Sequence, residues 1–410
     1  MVVRVANNLL EMQNILFPFN INSTYSVRNI SEYSEFGFLV DGKEKIDLSL
    51  GACGCFMLGF KQHEVIEYVS KKMIENPFVC GEFHTSNESV LELANKLYAL
   101  TGYKSFFSTS GSDAIETAIK LSGIYHNNKK KRNIIGIQNA YHGSTFLVSG
   151  IGNLDYMVQA NGKSSRCIAL PFINENDFLA RFSDIPGETT AAIVIESCSW
   201  SIGLITYSKE FWKELRRLCD EKNILLIIDD VAMCGGKTGN YIGFDLSIQP
   251  DMFCLGKGFS GGYFPLTACM FSDKIYTQVR HYFFAHGYTH AFSMSGVYAT
   301  LKQLELFEKH KSNFQMVKQR GDMLFDELKL NYRSYGLVYY ISLDQAYNNL
   351  EQTFFKHGLN LGLWCGSNDS LYVIIPLNAD DKYFNSLREG FTKTLQDFNQ
   401  RKSRFFLQTP

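Results

Sequence analysis

Between residues 100 and 275 short, nearly unbroken apolar runs recur, separated by helix-patterned stretches: KSFFST, DAIETAIKLSGIYH, NIIGI, CIALPF, AAIVIES, EFWKELRRLCDEKN, ILLIIDD, DMFCLG and LTACMF. A run such as ILLII has no polar face, so as a strand it needs cover on both sides. Alternating helices supply that cover through crossover connections, which predicts an α/β fold with a large domain built on a mostly parallel sheet. From Ser295 to about Asn331 the pattern is helical for longer than one ordinary helix. Strands in LVYYISL and SLYVIIPL and a helix in YFNSLREGFTKTLQDFN then predict a smaller α+β domain. Strand-like FGFLVDG and KIDLSL, near the N-terminus, are expected to pack with it. The expected division is an N-terminal segment at 1–55, a large domain at 56–305 and a C-terminal small domain at 306–410.

Charge excludes some functions. Forty basic side chains nearly cancel 41 acidic ones, and the longest run of like charge, KKKR at Lys129 to Arg132, reads as a solvated loop. Nucleic acid is therefore not the expected partner. The first residues lack an apolar stretch followed by a small-residue cleavage site, and no apolar run approaches the ~20 residues that cross a bilayer. A soluble cytoplasmic protein without a membrane partner is the expectation. The ten cysteines lie singly in apolar segments, as reduced thiols do. Cys53 and Cys55 are the one close pair, and no second Cys/His pair accompanies them, so no metal site is expected.

One loop needs its own explanation. LGKGFSGGYFP, residues 255–265, contains a G-x-G-x-x-G pattern with Lys257 between the first two glycines. A dinucleotide fingerprint requires a helix to open at the third glycine, and Pro265 with the next apolar strand prevents one. A Walker-type loop fails because no Ser or Thr follows the lysine. What remains is an amine at a strand end, between residues that let a planar group approach the backbone. The run ILLII leads into Asp229-Asp230-Val231, which places carboxylates at the sheet edge where open α/β sheets bind ligands. Ser108-Thr109-Ser110-Gly111-Ser112 forms a small polar turn before a helix. Asp113 and Glu116, three apart, give that helix a capping-box-like start, and the turn offers free amides to a phosphate. Tyr141-His142-Gly143 adds an aromatic face. Amine, carboxylate, phosphate nest and aromatic wall are the parts that pyridoxal 5'-phosphate calls for.

These segments together resemble the class III, fold type I, pyridoxal phosphate-dependent aminotransferases. SGSDAIETAIKLS resembles the family's phosphate turn, AYHGST its Y-H-G segment, IVIES its strand ending in glutamate, and IIDDVAMCGGKTGNY its D-E-V-x-x-G-x-x-R-T-G segment. PDMFCLGKGFSGGYFPLTA resembles the most specific one, P-D-[IL]-x-x-x-[AG]-K-G-[LIM]-x-x-G-[YF]-P, and the likeness runs over roughly residues 37 to 310. It implies that Lys257 is the Schiff-base lysine and Asp229 the partner of the pyridine nitrogen. Tyr141 and Val231 would face the two sides of the ring, beside His142 and Glu196, and Ser110, Gly111 and Ser112 would hold the phosphate. Thr289, in HGYTHAF, would reach the phosphate of a neighbouring subunit, making a homodimer with a shared site.

Several positions depart from the family. Ala232 stands where the family has a glutamine on the cofactor's phenolic oxygen, and Ser197 replaces a proline. Tyr372 stands where an arginine clamps the substrate α-carboxylate, and Trp200 and Ser201 replace small glycine-rich residues. A tyrosine cannot form an arginine's bidentate pair. The expected activity is therefore transamination between an amino donor and an aldehyde or ketone acceptor, in specialised biosynthesis, on a substrate not held by that clamp. Trp200, Tyr372 and Cys53 are the candidate substrate contacts, and Phe17 to Tyr25 and Cys53 to Met57 are further candidates for setting specificity. An aminomutase, racemase, epimerase or decarboxylase on the same scaffold is the alternative, and a non-catalytic binding protein a third.

Overall fold

The computed structural model describes residues 30–81, 85–344, 346–347, 349–362 and 369–406, so Phe17 to Tyr25 lie outside the described residues. Its centre is a seven-stranded sheet in the spatial order Lys104–Ser108, Thr267–Phe271, Met252–Leu255, Leu225–Asp229, Thr190–Glu196, Asn133–Ile137, Cys167–Leu170. Thr267–Phe271 runs antiparallel to both neighbours, and every other pairing is parallel. The unbroken apolar runs become the central strands, in which every residue of Thr190–Glu196 and Leu225–Asp229 is buried.

Alternation along a strand divides those side chains between two layers. Leu225 and Ile227 pack with Ala114, Ile115 and Ala118 of the helix Gly111–His126. Leu226 and Ile228 join a second cluster with Phe211 and Leu215 of the helix Lys209–Glu221. The sheet is thus sealed on both faces, and its loops at the C-terminal strand edge remain for function.

Two smaller sheets complete the chain. Glu32–Tyr33, Gly37–Val40 and Lys43–Asp47 form antiparallel strands that Leu359–Asn360 extends in parallel. Asn331–Tyr335, Val338–Ser342 and Ser370–Ile374 form the other. Leu48, fully buried, joins them, since its amide donates to Asn360 O at 2.9 Å and its carbonyl accepts from Ile374 N at 2.9 Å. The long helical stretch is two helices, Met294–His310 and Phe314–Glu327, parted by a 3₁₀ turn at Lys311–Asn313. Among the described residues no helix is long and apolar enough to cross a membrane, and the cysteines are free thiols.

The KKKR run differs from expectation. Lys131 turns inward and donates from Nζ to Lys222 O at 3.3 Å, so its ammonium satisfies a carbonyl instead of facing water. Burial lowers its pKa.

Leu48→Ala should lower stability by about 2–5 kcal/mol, because it empties a site that cannot collapse without breaking two sheets. The measurement is the urea midpoint of unfolding. An unchanged midpoint would mean that the buried Leu48 side chain does not stabilise the junction of the small sheets.

Candidate active site

Parallel strands end at one edge, which is why Glu196, Asp229 and Lys257 become neighbours from distant parts of the chain. Glu196 and Asp229 are register partners on adjacent strands, Asp229 pairs with Cys254 on the next, and Lys257 follows two residues beyond Leu255. All three line a cleft of about 880 Å³.

The turn holding Lys257 is shaped by its glycines. Lys257 has φ 45° and opens a 3₁₀ turn to Ser260, closed by Gly261 at φ 70°. A left-handed non-glycine residue is strained, and such strain is kept where the surroundings fix it. Burial works against the charge on Lys257, but its pKa is raised overall, with Cys53, Cys55 and Asp229 supporting the ammonium. Thiols are neutral at pH 7, so the Asp229 carboxylate is the effective counter-charge.

Three carboxylates crowd this edge, and each is answered differently. Asp229 accepts from His142 Nδ1 at 2.8 Å and from Val231 N at 3.1 Å. Asp230, fully buried, accepts from Ser197 Oγ at 2.6 Å and from Gly243 N at 2.8 Å, and burial pushes its pKa up to about 7. Glu196, 5% exposed, has among the described residues only the Ser201 hydroxyl, at 3.3 and 3.2 Å from its two oxygens. Burial raises it to about 7 as well, with His142 opposing the rise.

The polar turn caps its helix at a different residue from the one expected. Ser110, extended at φ −136° and ψ 152°, is the N-cap, and its hydroxyl accepts from Asp113 N at 3.2 Å. Asp113 therefore sits at the third helical position, and Glu116 accepts from Thr145 Oγ1 at 2.9 Å instead of closing a capping box. The first i→i−4 bond is Ala114 N to Ser110 O at 3.1 Å, which leaves the amides of Gly111 and Ser112 ahead of it, at the cleft. Ser112 Oγ also accepts from Ser144 N at 3.0 Å, tying this turn to Tyr141-His142-Gly143.

Pyridoxal phosphate fits this donor set. An amine, a buried carboxylate and an anion-binding helix start share one cleft, with Tyr141 and Val231 also lining it. Val231 is held in place by neighbours without side chains, since a Cβ on Gly111 or Gly256 would lie 2.8 or 2.9 Å from its Cγ1. Ala232 lines the cleft with no polar side-chain atom.

The substrate side is aromatic. Trp200 and Tyr372 stack at 4.8 Å and 16°, and the Tyr372 hydroxyl donates to Trp200 O. Tyr340 meets Tyr372 edge-on at 5.1 Å, and the Arg333 guanidinium lies 4.6 Å from the Tyr340 ring. These side chains form one cross-strand row, because Arg333 pairs with Tyr340 and Tyr340 with Tyr372. Cys53 lines the cleft from a backbone stretch that is left-handed from Leu50 to Gly54. Asp47 holds that stretch, accepting from Ser49 N at 3.1 Å, Ser49 Oγ at 2.7 Å and Gly51 N at 2.9 Å.

Of the residues that the resemblance places at the cofactor, Thr289 alone lies away from the cleft, exposed on the surface, and of Cys53 to Met57 only Cys53 and Cys55 line it. Sequence reading missed Tyr263, Phe264 and Tyr340, which line it too. For Tyr340 the signal was strand alternation in LVYYISL, but its register with Tyr372 could not be read locally.

Comparison with known proteins agrees with this geometry. The family model described as Aminotransferase class-III matches residues 33–395. The chain is 28% identical to Gamma aminobutyrate transaminase 2 of Solanum lycopersicum, covering 88% of this chain and 86% of that protein. It is 26% identical to an uncharacterized aminotransferase of Archaeoglobus fulgidus, over 88% of this chain and 87% of the other. Among solved structures, an omega-aminotransferase from Paracoccus denitrificans superposes with a TM-score of 0.86 at 19% identity, covering 96% of this chain and 98% of that one. A thermostable omega transaminase mutant from Pseudomonas jessenii gives 0.85 at 21%, with the same coverage. These two share the fold.

Burial raises Glu196 from its ordinary 4.5 to about 7, so the native chain keeps a proton that the unfolded chain releases between those values. The stability contributed by this group is present below about 4.5 and is lost as pH rises to about 7. Glu196→Gln removes that loss. Between pH 4.5 and 7 the variant should gain up to about 3 kcal/mol relative to the native chain, seen as a less negative slope of Tm against pH without cofactor. Parallel slopes for the two proteins would contradict the assignment.

Proposed function

The chain belongs to the class III aminotransferase family, whose members work on pyridoxal phosphate, and from that premise we propose that it transfers the amino group of an amine lacking an arginine-clamped α-carboxylate to an aldehyde or ketone. The observation that carries this reading is the aromatic stack at position 372. Tyr372 is 4% exposed, stacked on Trp200 and hydrogen-bonded to its carbonyl, so this wall has no fork for a carboxylate. The tomato relative is named for γ-aminobutyrate, an amine whose carboxylate is remote from the reacting carbon.

When bound, pyridoxal phosphate supplies a carbonyl that takes up the amine and a conjugated ring that accepts the electron pair of the breaking C–H bond. Lys257 would hold that carbonyl through Nζ, and the same nitrogen, when free, would be the base that moves a proton at the reacting carbons. Asp229 holds a positive charge beside the ring. His142 and the Val231 amide fix its orientation, which keeps it an ion-pair acceptor in a buried place. The amides of Gly111 and Ser112 take the phosphate at the helix start. Tyr141 and Val231, which line the cleft, would confine the ring, and the aromatic row would exclude water from the reacting carbons.

A second protomer completes the site in this reading. Thr289 is exposed and outside the cleft, in a segment that also carries Phe283, 92% exposed. An apolar side chain so displayed is one that another copy would cover. The finer expectation of specialised biosynthesis belongs to this proposal too, and rests on the same missing clamp.

The test is the visible spectrum of the protein with pyridoxal phosphate, before and after single amines are added without acceptor. The bound-cofactor band should be bleached by primary amines lacking an α-carboxylate and not by ordinary α-amino acids. Lys257→Ala should abolish the response and lower kcat by roughly 1,000-fold or more. Rapid bleaching by α-amino acids alone would overturn the substrate reading. A band that no amine bleaches, with product formed in the absence of acceptor, would instead favour a mutase, racemase, epimerase or decarboxylase.

A further inference from the structure

The three carboxylates at the strand ends are unequal, and the inequality points to a ligand. Asp229 and Asp230 each accept two hydrogen bonds of 3.1 Å or less. Among the described residues Glu196 has one donor, Ser201 Oγ, at 3.2 Å or longer, and that hydroxyl in turn accepts from Tyr141 N at 2.9 Å. A buried carboxylate answered so weakly is costly unless something else supplies charge. No salt bridge reaches it among the described residues. Lys257 is the lysine of the same cleft, but it forms no salt bridge with Glu196, and in the proposed function its amine is committed to the carbonyl of the cofactor and to proton transfer. Arg333, the guanidinium in the aromatic row, sits 4.6 Å from the Tyr340 ring centroid, and no hydrogen bond from it to Glu196 is found among the described residues.

The surroundings of Glu196 complete the argument. Trp200 follows it by four residues and stacks on Tyr372, and both line the cleft with Glu196 and Tyr340. One carboxylate among electron-rich aromatic faces is the recognition chemistry of an alkylammonium, where a charge-assisted hydrogen bond and ring quadrupoles act on the same cation. A substrate carboxylate would meet a like charge there, opposed mainly by His142, whose Nδ1 is already bonded to Asp229.

We propose that Glu196, with Trp200 and Tyr372, binds a second ammonium group of the substrate, so that the preferred amino donor is a diamine, one nitrogen reacting and the other held at Glu196. This inference rests on the aminotransferase reading above and names the substrate class of that same site. It assigns the substitution at position 372 a purpose, because an arginine there would compete for Glu196 and repel the second ammonium.

The experiment compares three donor series of matched chain length with the cofactor-loaded enzyme: α,ω-diaminoalkanes, alkylamines and ω-amino acids, γ-aminobutyrate included. A parallel arm measures calorimetric binding of a bis-quaternary ammonium alkane, which cannot be transaminated. The expected kcat/KM for a diamine exceeds that of the matching alkylamine by roughly 10- to 100-fold, and the ω-amino acid is the poorest of the three. Glu196→Gln should lower the diamine-to-alkylamine ratio by at least about tenfold and weaken the bis-quaternary ligand similarly. Glu196→Asp, which keeps the charge, should restore part of the ratio. A ratio near one in the native enzyme, a preference for ω-amino acids, or a ratio unmoved by Glu196→Gln would overturn the proposal. If no amine in any series reacts, the aminotransferase reading fails, while calorimetry still reports whether Glu196 holds a dication: Glu196-dependent binding supports the ammonium site, and its absence rejects it.

Discussion

Everything at this site depends on how a folded chain answers negative charge at the end of a parallel sheet. Burying a carboxylate costs several kcal/mol unless hydrogen bonds or an opposite charge offset the loss of water. Adjacent parallel strands ending in Glu196 and Asp229 bring two such groups side by side, and Asp230 adds a third. The fold answers Asp230 internally, through Ser197 and Gly243, so that group serves the structure. It answers Asp229 with a histidine and an amide on the cleft wall, which makes that carboxylate rigid and available. Glu196 has, among the described residues, a single hydroxyl donor at 3.2 Å or longer. In the reading proposed above, chemistry and recognition fall to the carboxylates at the cleft, Asp229 and Glu196.

The backbone bears strain in the same region. Lys257 is left-handed, and so is each residue from Leu50 to Gly54, of which Leu50, Ala52 and Cys53 are not glycine. Such conformations persist only where other bonds over-determine them. Asp47 does this for the second stretch, with Asn360 adding a bond at 3.3 Å from the neighbouring strand. The small sheets are therefore more than a lid of convenient size, because they fix the loop that carries Cys53 and Cys55 into the cleft.

Much of this was legible in the sequence for physical reasons. Runs such as ILLII had to become doubly covered strands, and the positions of Lys257, Asp229 and the Ser110 turn followed from where those strands end. The site residues read from motifs all lie on segments whose local pattern also announces the fold. What escaped the reading depends on long-range register. Tyr340 joins the cleft wall, with Arg333 behind it, only because three C-terminal strands pair in one row, and no single strand records its partner's phase. The helix cap shifted from Asp113 to Ser110 because both offer an oxygen at suitable spacing, and the extended backbone at Ser110 decided between them. Lys131 was misread because a charge run says nothing about the lone carbonyl, Lys222 O, that one of its members can satisfy.

The central claim is that one lysine, and not simply a basic cleft, anchors the cofactor. The chain holds a second buried lysine close by: Lys237 is fully buried and donates to Cys234 O at 2.9 Å. Borohydride reduction of the cofactor-loaded protein, followed by peptide mapping by mass spectrometry, distinguishes the two. The account predicts pyridoxal phosphate carried covalently on Lys257 alone, in near-stoichiometric yield. A label on Lys237, or spread over surface lysines, would contradict it.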